Sequence, residues 1–246
     1  VDNDSKDETI DALVKNFPNI TLIKNRHNAG FSVGVNNGFQ KCNGKYILVL
    51  NPDTIFVEDT LDKLINAAKN QKELGAIGPA LINEDGTKQQ SFWKNPSLVS
   101  TLLSVFHLDF LNYYKKNYGN KNFEGFTMVE TISGAAFFLK RDIFKELNGL
   151  NEKLFWMEDI DFSIRLNKAG YKTYYFSLTK IIHFSGKSAE TNYKVAISNQ
   201  LLSKVKFFRI HHSIMSANII LFSILTVSLI KSIILFFITP FSNTYR

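Results

Sequence analysis

Two spacings of apolar residues alternate along the first two-thirds of the chain. In "ETIDALVKNF" (8–17) Ile10, Leu13, Val14 and Phe17 recur at intervals of three and four, which predicts an amphipathic helix. "EDTLDKLINAAKN" (58–70) repeats the pattern with Leu61, Leu64, Ile65 and Ala68. Between and after these helices, short apolar runs predict strands at 19–25, 45–51, 74–81, 128–133, 135–140 and 171–176. Strands that alternate with helices predict an α/β domain with a mainly parallel sheet covered by helices. Ligands in such sheets bind beyond the carboxyl ends of the strands, where Asp2 and Asp53 both fall.

The run "YILVLNPDT" (46–54) shows how one of these ends is made. Its apolar half suits the centre of a sheet. Pro52 has no N–H to donate and pushes the residue before it away from helical geometry, so the strand must stop near Leu50 and deliver Asp53 beyond it. The stretch from Asn83 to Gly125 is less regular, with "EDGT" as a turn and many aromatics after it, and reads as an insertion or a helical lid.

The carboxyl end changes character. From Ile214 to Thr239 the sequence carries one charge, Lys231, and is long enough to cross a bilayer. Lys204, Lys206 and Arg209 precede it, which by the positive-inside bias keeps residues 1–210 cytoplasmic. A buried hairpin, or a helix lying in the interface with Lys231 snorkelling, satisfies the same pattern. The expected division is a catalytic-type domain over 1–210, able to bind its donor without the tail, and a hydrophobic, membrane-associated segment over 211–246.

Composition narrows the partners. The 246 residues are 45% apolar, enough for a substantial core, and carry a formal charge of +7. That charge suits an anionic membrane surface or a nucleotide diphosphate. The Lys and Arg residues are scattered singly with no nucleic-acid motif, so nucleic acid is not an expected partner. A single cysteine, Cys42, excludes an internal disulfide and fits a reducing cytoplasm.

Three stretches have the residue types for chemistry. In "NRHNAGFSVGVNNGF" (25–39), Gly30, Gly34 and Gly38 let backbone come close to a ligand, although the spacing is not a dinucleotide fingerprint and also fits a turn followed by helix packing. In "WMEDIDFSIRL" (156–166), Glu158, Asp159 and Asp161 crowd a helix start; capping and an Asp161–Arg165 pair account for part of this, but three carboxylates in four residues exceed what capping needs. "IIHFSG" (181–186) contributes His183, an ordinary histidine by itself and a ligand beside a carboxylate-bound divalent ion.

Taken together, "VDNDSKDET", "NAGFSVGVNNG", "YILVLNPDT", the stretch from "SGAAFFLK" to "WMEDIDFSIRLNKAGYKTYY", and "IIHFSGKS" resemble the family 2 glycosyltransferases, especially the rhamnosyltransferase-like members that build bacterial polysaccharides. The likeness covers about residues 1–190. The family opens with a strand of the "IVTYN" kind and a helix before the "VDN" strand; both are missing from this sequence, so an amino-terminally truncated chain is expected.

The resemblance implies a GT-A fold and an inverting transfer of sugar from a nucleotide-diphosphate donor to a hydroxyl of a glycan or lipid-linked acceptor, at the cytoplasmic face of the membrane. By resemblance Asp2 recognises the nucleoside, and Asn28 and Asn36, with Gly30, line the donor pocket. Asp53 matches the last acid of an Asp-x-Asp metal motif whose first acid is here Asn51, and His183 matches a histidine that binds metal in some relatives. Mg²⁺ or Mn²⁺ is the implied cofactor. Asp159 matches the general base, with Glu158 beside it, while Ser133, Gly134 and Trp156 fall on the acceptor side. The donor sugar, rhamnose or another, stays open. A non-catalytic membrane-anchored relative and a metal-dependent phosphohydrolase are the rival readings; metal-dependent donor hydrolysis separates the first, and hydrolysis without acceptor the second.

Overall fold

The computed structural model describes residues 1–69, 71, 73–111, 123–184 and 193–238. Its elements are α1 (Thr9–Asn16), α2 (Phe31–Phe39), β1 (Tyr46–Leu50), β2 (Thr54–Phe56), α3 (Thr60–Lys69), β3 (Leu74–Ile82), β4 (Phe92–Trp93) and α4 (Leu98–Val105). A 3-10 turn (Asp109–Leu111) follows, then β5 (Phe126–Val129), β6 (Thr131–Ile132), β7 (Ala136–Lys140), α5 (Arg141–Glu146), α6 (Glu158–Lys168), β8 (Lys172–His183), α7 (Tyr193–His211) and α8 (Ile214–Ile238).

The main sheet has the order β1-β7-β3-β8-β2, with β5 also paired to β8. β3 and β8 are parallel, and β7 runs antiparallel to both β1 and β3, so β1, β3 and β8 share one direction. The expected parallel relation holds for those three strands. β7 is inserted against them, and β2 and β5 pair antiparallel with β8, which makes the sheet mixed. β4 and β6 form a separate antiparallel pair.

β3 is the most deeply buried strand, with eight of its nine residues buried, because helices and neighbouring strands cover both its faces. Ile77 and Leu139 are fully buried on β3 and β7; truncating either to Ala should cost about 2–5 kcal/mol. β1 was expected at the centre and instead ends the described sheet, pairing with β7 alone and burying only alternate residues, Ile47 and Val49. A continuous apolar run can serve such a position when part of its outer face still packs, as Tyr46 does on Phe138.

Other expectations also shift. The strand at 19–25 reduces to one parallel bridge between Asp2 and Lys24. α1 forms, but buries none of its residues, and Val14 and Phe17 of its apolar face are exposed. The run at 128–133 splits into β5 and β6, and the run at 171–176 extends to His183. Within 83–125 the described part contains the short helix α4, capped by a reciprocal Ser97–Ser100 pair; residues 112–122 of the expected lid lie outside the described residues.

The division expected at residue 210 cuts through packed structure. Ala217, Ile220 and Ile224 of α8 are buried with Val205, Phe207 and Phe208 of α7 and Val105 of α4. His211 accepts no separation either, since its Nε2 lies 2.8 Å from the buried Asp161 carboxylate on α6. A domain ending at 210 would lose these contacts, so residues 211–227 belong to the body of the fold. Residues 239–246, the end of the expected membrane segment, lie outside the described residues.

Candidate active site

The turn after β1 is tied down by Asn51, whose N–H donates to Ala135 O (2.9 Å) and whose carbonyl accepts from Thr54 Oγ1 (2.7 Å). β2 then starts at once and pairs with the end of β8 in a register that sets Thr54 opposite His183. The Phe184 N–H donates to Asp53 O (2.9 Å). This pairing places the Asp53 carboxylate beside the His183 ring, with Oδ1 and Nε2 3.4 Å apart.

The tautomer of that ring follows from its neighbour. Gln89 Nε2 donates to Asn83 Oδ1 (3.1 Å) and to His183 O (3.3 Å), so the Gln89 amide oxygen is the atom that faces His183 Nδ1 at 2.7 Å. Nδ1 therefore carries a hydrogen, and in the neutral ring Nε2 presents a lone pair. Opposite it, Asp53 Oδ1 is buried with no hydrogen-bond partner. With the ring neutral the two face each other as acceptors, an arrangement that a proton on Nε2 or a bound cation satisfies. A divalent cation fits: one carboxylate and one neutral imidazole are ordinary ligands for Mn²⁺ or Mg²⁺, whose remaining positions suit phosphate oxygens and water. Among the described residues no set of three His, Cys, Asp or Glu side chains forms a complete protein cage.

The second centre opens α6. Met157 precedes it with φ 71°, a left-handed backbone that a non-glycine residue adopts only under constraint. That turn presents Glu158 and Asp159. Asp159 Oδ2 accepts from Gly134 N (3.0 Å) and Oδ1 from Ile160 N (2.8 Å), so the carboxylate is aimed by backbone donors. Burial raises the Asp159 carboxyl above its ordinary range, against the opposing pull of the Gly134 and Ile160 N–H groups. Glu158 is pushed up to about 8 by burial and by the neighbouring Asp159 charge, and its Oε2 is buried without a partner. Asp161 behaves oppositely. Burial would raise it, but the hydrogen bond to His211 and the charge and hydrogen bond of Arg165 outweigh burial and hold it low. Its role is structural: Arg165 clamps Asp161 (2.8 Å) while donating to Leu147 O and Gly149 O, which fastens α6 to the preceding loop.

Residues 133–135 join the two centres. Gly134 N holds Asp159, and Ala135 O holds Asn51, two residues before Asp53. Ser133 is buried, its Oγ accepting from Ala135 N (3.2 Å). Trp156 is two-fifths exposed and its N–H, like that of Phe155, donates to Ser203 Oγ (3.3 Å).

Of the amino-terminal candidates, Asn28 lies on Gly30, whereas Asp2 and Asn36 have other partners. Asp2 is buried, with its carboxylate held low by hydrogen bonding from the Ser5 side chain and from the Ser5 and Asp4 N–H groups, against its burial. Asn3 donates to Gly30 O, and Asn25 and Asn37 continue the chain of side-chain amides. Asn28 Oδ1 accepts from Gly30 N (3.1 Å) in a local turn. Asn36 points elsewhere: it accepts from Leu150 N and donates to Leu150 O and Glu152 Oε1, where Gly149, at φ 69°, leaves room that a β-carbon would fill. Its amide is thus committed to the loop before α6. Sequence reasoning missed Gln89, Ser203 and His211, all far in sequence from the groups they position and without any motif to mark them.

The family model for glycosyl transferase family 2 matches residues 1–147. The chain belongs to glycosyl transferase family 2. The matched part of this family 2 member contains Asp53 and Gly134, whereas Asp159 and His183 lie beyond it. N-acetylglucosaminyl-diphospho-decaprenol L-rhamnosyltransferase of Mycobacterium tuberculosis is 28% identical over 202 residues, 76% of this chain and 66% of that protein. Rhamnosyltransferase WbbL of Escherichia coli is 25% identical over 186 residues, 74% of this chain and 68% of that protein. The chain thus spans about two-thirds of the length of these relatives. The mannosyltransferase PcManGT from Pyrobaculum calidifontis, solved with GDP-Man and Mn²⁺, superimposes with a TM-score of 0.53 at 12% identity, over 92% of this chain and 61% of that one. The fold is the GT-A α/β fold, with helices on a mixed sheet and an apolar carboxyl-terminal helix.

Proposed function

We propose that this family 2 member is an inverting, metal-dependent glycosyltransferase that moves a sugar, rhamnose in the first instance, from a nucleotide-diphosphate donor to a hydroxyl of a lipid-linked or glycan acceptor. The observation that carries the reading is the facing pair of Asp53 Oδ1 and His183 Nε2, a carboxylate and an imidazole nitrogen that suit a divalent cation, at the strand end where donors bind in α/β sheets. The rhamnosyltransferase relatives support the sugar class, and the diphospho-decaprenol named for one of them supports a lipid-linked acceptor. Such an acceptor, with the apolar α8, supports work at the cytoplasmic face of a membrane.

In this reading the acceptor oxygen attacks the anomeric carbon as the bond from that carbon to the donor phosphate breaks, and the electron pair of that bond leaves with the nucleoside diphosphate. A divalent ion held by Asp53 and His183 would supply positive charge for the leaving diphosphate. Gln89 keeps the His183 hydrogen on Nδ1 and so keeps Nε2 free to bind. Asp159, aimed by Gly134 and Ile160, takes the proton from the attacking hydroxyl, and its burial makes it a stronger base than an exposed aspartate. Attack from the face opposite the leaving group inverts the anomeric centre.

The test is release of nucleoside diphosphate from dTDP-, UDP- and GDP-sugars, with and without a lipid-diphosphate N-acetylglucosamine acceptor, across a Mn²⁺ titration. Acceptor-stimulated, metal-dependent turnover that disappears in Asp53→Asn is expected. Turnover indifferent to metal, and unchanged in that variant, would overturn the reading.

A further inference from the structure

We infer that α8 lies in the plane of a lipid bilayer surface, as an apolar seat shared with α4, instead of crossing the bilayer. The inference rests on the membrane element of the proposed function and decides its mode. By length and composition α8 passes as a membrane span, with a mean hydropathy of 2.5. Its packing is what argues against crossing.

One face of α8 is part of the protein body. Ala217, Ile220 and Ile224 are buried against α7 and α4. The contact continues to Lys231, whose Nζ lies 2.7 Å from His107 Nε2, two residues beyond the end of α4. From Ile214 to Val227 the helix therefore runs alongside the enzyme, and Lys231 touches it once more at the surface. The rest of α8, residues 228–238, is exposed and rises about 16 Å, against a hydrocarbon core of about 30 Å. To cross, the helix would have to draw α4 and α7 into the hydrocarbon with it, and α7 carries Lys204, Lys206 and Arg209.

The opposite face is apolar along the whole helix. Met215, Phe222, Leu225, Leu229 and Phe236 are each more than half exposed. Their spacing of seven, three, four and seven places them on one stripe. Phe106 and Phe110, around the end of α4, extend the exposed apolar surface beside it. Apart from Lys231, which is turned to His107, α8 has no charged residue, so the stripe lacks the polar rim that fixes a protein partner. A lipid surface needs no such rim, and the formal charge of +7 complements an anionic one.

The test uses the full chain in a Cys42→Ser background, with an environment-sensitive fluorophore at Phe222→Cys, Leu229→Cys or Phe236→Cys. Phosphatidylcholine–phosphatidylglycerol vesicles carry quenchers at the headgroup or deep in the acyl chains. All three sites are exposed, and melting curves check that each variant is folded. Equal, shallow quenching at the three positions is expected. Depth that grows from position 222 to 236, by up to about 21 Å for a helix along the bilayer normal, would overturn the in-plane seat. An absence of any response to vesicles, with light scattering showing a dimer, would overturn it in favour of a second copy. Metal-dependent release of nucleoside diphosphate, measured on the same samples, tests the catalytic reading separately: its loss would leave the seat standing.

Discussion

Gln89 makes the case for the metal pair more sharply than either proposed ligand does. Its amide nitrogen is committed to two acceptors, so its oxygen receives the His183 Nδ1 hydrogen, and in the neutral ring the far nitrogen presents a lone pair beside a carboxylate. Replacing Gln89 by Leu removes that control while leaving both ligands in place. The expected result is a Mn²⁺ titration of donor turnover shifted to roughly 10–100-fold higher metal concentration, with turnover at saturating metal largely recovered; an unshifted curve would release His183 from the metal role. At the other centre, Asp159→Asn keeps the hydrogen bond from Gly134 but cannot take a proton. Transfer should fall by about 10²–10⁴-fold with donor affinity nearly unchanged by titration calorimetry. Glu158 gives a pH prediction with a definite sign. Its folded carboxyl sits near 8, above the ordinary value of 4.5, so between those values the folded state holds more protons than the unfolded one and stability falls as pH rises. Glu158→Gln cannot lose a proton, and its melting temperature should exceed that of the wild type by a margin that widens from pH 5 to pH 8. A margin that stays constant would show that Glu158 ionises normally in the fold.

At the scale of elements, the pieces with strong local periodicity were legible. α3, β1, β3 and β7 fall within a residue or two of the runs that predict them, because Leu64, Ile77 and Leu139 are apolar for the plain reason that they are buried. The pairing that builds the site was not legible. β2 is three residues long and mostly exposed, and β8 extends through Lys180 and His183, so neither has a pattern of its own; their register exists only because the two are opposed. Asp53, Asp159 and His183 were thus readable as residue types in motifs, while Gln89, Ser203 and His211 act by tertiary position alone. The same holds for the grip of α7 on the turn before α6. Ser203 Oγ accepts from both Phe155 and Trp156 N–H, and Lys206 Nζ donates to Lys153 O. Ser203→Ala leaves two backbone donors in that turn without their acceptor, at a cost of about 1–3 kcal/mol. Because the turn leads straight into Met157 and the two carboxylates, kcat should fall while KM for the donor stays close to wild type. Loss of donor affinity with kcat intact would mean that the grip serves the donor side instead.

For the whole molecule, the packed body and the exposed apolar surface share one helix, and the point where one gives way to the other can be located by truncation. Ending the chain after Arg209 removes His211, the partner of the buried Asp161, together with Ala217, Ile220 and Ile224. Breaking a buried charged contact by removing one partner, and stripping three apolar residues from a core cluster, are each of a size to consume most of a domain's net stability. That chain should show no cooperative melting transition, contrary to the sequence-based expectation of a self-sufficient domain ending at 210. Ending it after Val227 is a different cut. It keeps every buried residue of α8 and removes residues 228–246; among the described ones, Lys231 is paired with His107 at the surface. An exposed pair of that kind is worth about 0–1 kcal/mol, so the melting temperature should stay within a few degrees of the full chain. Vesicle binding should weaken, because Leu229 and Phe236 are gone, yet persist through Met215, Phe222 and Leu225 on the remaining half of the stripe. Sedimentation of the truncated chain with anionic vesicles, compared with the full chain, reads this directly. Partial binding marks an in-plane surface that has been shortened, whereas complete loss of binding would place all the membrane contact beyond Val227 and restore the picture of a tail that inserts end-on.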